Sequence, residues 1–184
     1  MHAIAPTRTE ARLAGQATGA MFFFVFGGVW LEGWAHQSGA GAPAFVVIAA
    51  LALALLMVAW RRFRRYAPAL AREGDTPERR RAKRVFNIVN AGQWIVIFIL
   101  IQVLNNLGKG AWIIPMAMAV IGLHFLPLAH AFKHPAHYVT GVAMVAWAAV
   151  YPLLAGPAAS TGFLGAGLIL WLSAAWAVRP VAAP

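Results

Sequence analysis

The chain has 184 residues, 61% of them hydrophobic and 11% charged, and a mean hydropathy of +0.70. A soluble domain usually carries roughly 25% charged residues. The composition therefore predicts one integral membrane domain over residues 1–184 and argues against a soluble enzyme fold. The net charge of +10 would indicate nucleic acid in a soluble protein, but these cations collect between apolar segments, so we expect no nucleic-acid partner. Without cysteine, the chain has no disulfides, thiolate metal sites or cysteine nucleophiles.

Six apolar segments have about the length that a membrane-spanning helix needs, which is about 20 residues. The first is too long for the core of a cleaved signal peptide, so we expect it to be the first spanning helix. We therefore predict an all-α polytopic membrane helix bundle. Its six transmembrane helices are expected at about residues 13–34, 43–60, 85–107, 111–132, 138–155 and 163–178.

Ten of the fifteen lysines and arginines lie between Trp60 and Val85, which predicts a cytoplasmic basic loop over residues 61–84. With this loop inside, six spans place both termini in the cytoplasm and leave Lys109 as the one outer cation. Fourteen of fifteen cations on one side is the asymmetry typical of an inner-membrane, multi-pass protein.

Cations of the basic loop are expected to bind anionic lipid headgroups, which makes the bilayer itself a partner. A protein-docking surface is the alternative for the same loop. Within it, Thr76 and Pro77 predict the capped start of a short helix that continues into the third span. The predicted headgroup-binding residues are Arg61, Arg62, Arg64, Arg65, Arg79, Arg80, Arg81, Lys83 and Arg84.

Ionisable residues inside membrane spans are costly and are therefore candidates for function. Glu32 is the one acid in any predicted span, near the outer end of the first, and His124 lies in the fourth. The third span is rich in amides, and four of them share a stripe of about 120° at ~100° per residue. We predict that this helix is the most enclosed one, with the stripe pointing inward. The stripe consists of Asn87, Asn90, Gln102 and Asn105, and Gln93 lies beside it.

Depth along the helices sorts these residues into two predicted polar layers. The outer layer is Glu32, Gln102 and Asn105, and the inner layer is His124, Asn90 and Gln93. The alternatives are structural. Amides hold helices together at about 0.6 kcal/mol each, Glu32 could reach interfacial water, and His124 could be a satisfied packing residue. Four tryptophans deep in the spans, Trp30, Trp94, Trp147 and Trp171, are predicted to pack against other helices.

A histidine-rich segment joins the fourth and fifth spans. His130, His134 and His137 could in principle bind a metal or a haem iron through imidazole, but no carboxylate or thiolate lies nearby and Pro135 ends the helix. We therefore expect no metal site and no cofactor. The run His124-Phe125-Leu126-Pro127-Leu128-Ala129, followed by Pro135, Tyr138, Val139, Thr140 and Gly141, resembles a pattern in small uncharacterised bacterial membrane proteins. The resemblance implies a bacterial inner membrane and no particular activity.

Three functions are compatible with this sequence. The buried acid, the buried histidine and the amides favour a small transporter or channel for a proton, an ion or a polar solute. The alternative is a non-catalytic scaffold or partner subunit, homo-oligomeric or docked on another membrane protein through the basic loop. A lipid-acting enzyme is the third, and we assign no catalytic residue because no Ser-His-Asp, paired-carboxylate or HExxH arrangement is present.

Overall fold

A computed structural model describes residues 8–179, and it confirms the all-helical prediction for that part of the chain. Five of its six helices are long and apolar enough to cross a membrane, and the sixth is a shorter apolar helix of 17 residues. A single 3₁₀ turn, Gly110–Trp112, precedes the fourth helix. The helices are α1 (Arg8–Gln37), α2 (Ala42–Glu73), α3 (Pro77–Asn106), α4 (Ile113–Ala131), α5 (Ala136–Ala155) and α6 (Thr161–Ala177).

The basic segment 61–84 is not a loop, and this corrects the prediction. α2 continues to Glu73, with Pro68 inside it, and α3 begins at Pro77, so only residues 74–76 link them. Alanine and arginine favour a helix, which explains why both helices extend beyond their apolar parts. The predicted cap is confirmed, because the Thr76 side chain accepts a hydrogen bond from the Arg79 backbone N–H at 3.3 Å. We call residues 61–84 the cationic hairpin.

Helix packing places α2 and α3 on the outside. In the described part of the chain, α1 packs against α2 and α6, and α5 packs against α4 and α6. By backbone proximity, α2 lies beside α1 and α3 lies beside α4, and no other helix runs alongside either of them. The two long outer helices meet at their short connection without packing against each other.

Inside the bundle, aromatic rings pack directly against glycines of neighbouring helices. Rings of Trp171, Phe163, Trp147 and Tyr151 occupy the space that a Cβ would need at Gly27, Gly33, Gly165 and Gly162 respectively. Small residues let helices approach closely in a membrane, where dispersion contacts and not water exclusion drive association. Shape complementarity of this kind holds α1, α5 and α6 together.

Candidate functional site

α3 was expected to be the most enclosed helix, and the structure shows that this prediction is wrong. Its apolar part is the least buried of the five membrane-length helices. Among its described residues only Ile97 is fully buried, at 8% exposed. The cause is the packing order, because α4 covers one side of α3 and no described helix covers the other.

The amides of α3 accordingly divide between two faces. Asn87, Gln102 and Asn105 are exposed, whereas Asn90 and Gln93 are half-buried. The Oε1 atom of Gln93 is buried without a hydrogen-bond partner. The predicted inward stripe is therefore turned mostly outward.

The exposed face of α3 presents one continuous row, which we call the amide stripe. Its members fall within an arc of about 80° at ~100° per residue, and all are exposed in this single chain. Trp94 belongs to the row and is 54% exposed, so its predicted packing role inside the chain is wrong. The amide stripe consists of Asn87, Ala91, Trp94, Phe98, Gln102 and Asn105.

The other outer helix has a different surface. Exposed residues in the apolar part of α2 include Val46, Val47, Leu51, Leu53 and Val58. From residue 42 to residue 60 this helix carries no amide and no charge. Lipid tails satisfy such a surface fully, but they offer no hydrogen bond to an amide. Of the two outer faces, only that of α3 carries amides, which need a hydrogen-bonding partner inside a membrane.

The structure does not assemble the predicted outer polar layer. Glu32 lies on α1 and is half-buried, and no ion pair reaches it within the described residues. Gln102 and Asn105 lie on α3, and α1 and α3 do not pack against each other. Glu32 is thus separated from the amides with which we grouped it.

His124, in the predicted inner layer, interacts mainly with its own helix. Its Nδ1 atom lies 2.5 Å from the carbonyl oxygen of Ile121, one turn earlier in α4. No hydrogen bond joins it to Asn90 or Gln93 among the described residues, although α3 and α4 are neighbours. This geometry is that of a packed histidine with one ring nitrogen satisfied locally.

A cluster of aromatic and imidazole rings lies where α1 meets the α4–α5 connection. The ring of Phe23 contacts Phe125 edge to face at a centroid distance of 5.1 Å and lies 5.6 Å from His137. The rings of His134 and His137 are 4.8 Å apart. Sequence reasoning found the histidines but missed Phe23, since nothing in the spacing of α1 indicates which helix it meets.

His134 has a depressed pKa within this cluster. Burial, and secondly the guanidinium of Arg12, lower the pKa of His134 from its ordinary value of 6.5, because both disfavour the charged ring. Its Nδ1 atom is buried without a hydrogen-bond partner. In residues 8–179 no group of three potential metal-ligating side chains comes together. Because its pKa is lowered, the imidazole of His134 is neutral at neutral pH.

Three arginines predicted to bind lipid headgroups also have partners within the chain. Arg62 donates from Nη1 to the carbonyl oxygen of Val178 at 3.1 Å, at the C-terminal end of α6 where cations are favourable. Arg79 donates to the carbonyl oxygens of Leu70 and Gly74, which fixes the turn of the cationic hairpin. Arg80 pairs with Asp75 at 3.2 Å.

The other six predicted headgroup-binding cations are exposed, as is Arg72, and all of them can meet an anionic surface. Beside them lies an open hollow of about 500 Å³, with room for a phosphate-sized group. The six predicted cations are Arg61, Arg64, Arg65, Arg81, Lys83 and Arg84. The hollow is lined by Asp75, Arg80, Lys83, Arg84, Asn87 and Ile88.

Five apolar helices of membrane-crossing length indicate a helical, membrane-spanning protein. No family model, no curated protein and no solved structure matches this chain. The two surfaces that stand out are the amide stripe and the cationic hairpin, and both belong to the outer helices.

Proposed function

We propose that this chain is a non-catalytic scaffold subunit of a bacterial inner membrane. All six helices span the bilayer in this proposal, and both termini and the cationic hairpin lie in the cytoplasm. The hairpin gathers anionic lipid, and the exposed side of α3 docks against another membrane-embedded chain. The positive-inside asymmetry of the sequence supports this orientation.

One observation carries the proposal, namely where the polar groups lie. The interior is closed by glycine–aromatic pairs such as Gly165 with Trp147 and Gly162 with Tyr151. Amides and free cations face away from it, on α3 and on the cationic hairpin. A polar outer surface around a packed interior suits a protein that acts by binding neighbours.

Neutralising three free cations of the hairpin should abolish most of its preference for anionic lipid. A cation near an anionic surface contributes about 1 kcal/mol, so the triple variant Arg61→Gln, Arg64→Gln, Arg81→Gln should weaken lipid recruitment by about 3 kcal/mol. The measurement is the enrichment of labelled phosphatidylserine around the protein in mixed liposomes, followed by energy transfer.

The matched control keeps the charge. The variant Arg61→Lys, Arg64→Lys, Arg81→Lys should gather anionic lipid like the unmodified chain, because point charges and not bidentate geometry hold a diffuse lipid shell. Both enrichments should also fall as salt rises. Equal enrichment around the glutamine and lysine variants would contradict the lipid-gathering role.

Transport remains a second candidate because Glu32 is a half-buried acid on α1 without an ion pair in the described chain. If the protein moves protons, Glu32→Gln should abolish pH-dependent flux in proteoliposomes and leave the fold intact. The glutamine keeps size and polarity but cannot ionise. Wild-type flux from folded, inserted Glu32→Gln protein would leave Glu32 as an interfacial acid and favour the scaffold.

A further inference from the structure

The amide stripe poses a problem that a single copy of the chain does not solve. From Arg84 to Lys109 the helix and its end cover 25 steps, or roughly 37 Å at 1.5 Å per residue. The hydrocarbon core is about 30 Å thick. Centred between these two cations, it reaches Asn87 and Asn105 at its edges and contains Gln102. An amide left unpaired in hydrocarbon costs several kcal/mol.

We propose that the amide stripe is a self-association surface, on which α3 of a second copy of this chain packs in parallel. This inference rests on the scaffold function and names the occupant of its docking face. Gln102 pairs with its own counterpart inside the bilayer, and Asn87 and Asn105 pair near the two edges and set the register.

The chemistry of the stripe favours a second copy over a different partner. A carboxamide carries two N–H donors and an acceptor oxygen, so it forms hydrogen bonds with an identical group. From Asn87 to Asn105 the stripe is uncharged, so two copies meet within the bilayer without like-charge repulsion.

Symmetry adds a second argument. Two copies with the same membrane orientation are related by a two-fold axis along the membrane normal, which brings residues of equal depth face to face. Each stripe residue then meets itself. Ala91 is the smallest member of the stripe, and a small side chain at this point permits close backbone approach. Trp94 and Phe98 lie between Ala91 and Gln102 along the helix and supply apolar area.

The absence of native cysteine makes the test direct. Ala91→Cys places one thiol on the amide stripe, and oxidation in liposomes should cross-link a large fraction of the protein. Leu53→Cys is the matched control, since Leu53 is 62% exposed on the aliphatic face of α2. It lies eight residues from Arg61, and Ala91 lies seven from Arg84, so the depths are similar. The control should cross-link only at the level of random collision.

A second variant tests the amides themselves. Gln102→Leu with Asn105→Leu, added to Ala91→Cys, should reduce cross-linking at least fivefold, while the size-exclusion profile in detergent shows that the protein remains folded. Subunit counting by single-molecule photobleaching of the wild-type chain in dilute liposomes should show dimers and does not depend on any variant folding.

The outcomes separate this inference from the proposed function. Monomers in pure lipid, or equal cross-linking at positions 91 and 53, would overturn self-association while leaving a different membrane partner for the scaffold. Leucine variants that dimerise like the wild type would overturn the pairing of amides. The anionic-lipid enrichment depends on the cationic hairpin, so it tests the lipid-gathering role independently of each of these results.

Discussion

Replacing Gly141 with alanine should force α5 away from α4 and destabilise the protein by about 1–3 kcal/mol, the usual cost of overpacking a core. A Cβ at Gly141 would lie 2.7 Å from the carbonyl oxygen of Gly122, and a Cβ at Gly122 would lie 2.8 Å from the carbonyl oxygen of Gly141. The clash is with backbone, which cannot rotate aside as a side chain can. Thermal unfolding in detergent or bicelles measures the effect.

Gly19→Ala in α1 is the control, since a Cβ there would meet nothing within 4 Å. A helix-interior glycine with free space around it gains up to about 1 kcal/mol on replacement by alanine. The two substitutions are chemically identical. Gly141→Ala should lower the midpoint of thermal unfolding, whereas Gly19→Ala should leave it unchanged or raise it. Equal shifts for the two variants would mean that α4 and α5 do not meet at Gly122 and Gly141.

The existence of the helices could be predicted from sequence, and their neighbours could not. Apolar length predicts a helix wherever one occurs, and Thr76 with Pro77 marks the start of α3 because a cap is a local interaction. A run of cations predicts a loop at residues 61–84, whereas α2 continues through Arg61–Glu73, because arginine and alanine favour a helix.

The prediction that α3 is the most enclosed helix is wrong because it considers only one copy of the chain. The prediction for α3 has two premises: amides in a membrane are enclosed, and a single chain encloses them. The first premise is the physics of hydrocarbon, but the second is an assumption about stoichiometry. Gln102 and Asn105 are exposed in the single chain because α4 covers only one side of α3.

The contacts that do build the bundle leave only a faint trace in sequence. Trp147 and Tyr151 are one turn apart on α5, and Gly162 and Gly165 are about one turn apart on α6. Those spacings put the two rings on one face of α5 and the two glycines on one face of α6. Many small residues in α1 and α6 offer similar gaps, so the correct pairing needs three-dimensional information.

The pairing of Tyr151 with Gly162 leads to a double-substitution prediction. Tyr151 is 1% exposed, and its hydroxyl donates to the carbonyl oxygen of Pro157 at 3.2 Å. Tyr151→Phe should cost about 1 kcal/mol through the lost hydrogen bond. Tyr151→Ala should cost about 3 kcal/mol or more, as large-to-small changes in a packed interior do. Unfolding by sodium dodecyl sulfate measures both.

Gly162→Ala should also destabilise the wild-type chain, because its Cβ would lie 2.5 Å from Cζ of Tyr151 and 2.8 Å from the hydroxyl oxygen. In the Tyr151→Ala background that ring is gone and the added methyl group has room. The two losses should therefore not add. The double variant should be about as stable as Tyr151→Ala alone, which gives a coupling energy within the 0.5–3 kcal/mol expected of contacting residues. Additive losses would show that this ring and this glycine do not meet, and the packed interior on which the scaffold proposal depends would lose one of its supporting contacts.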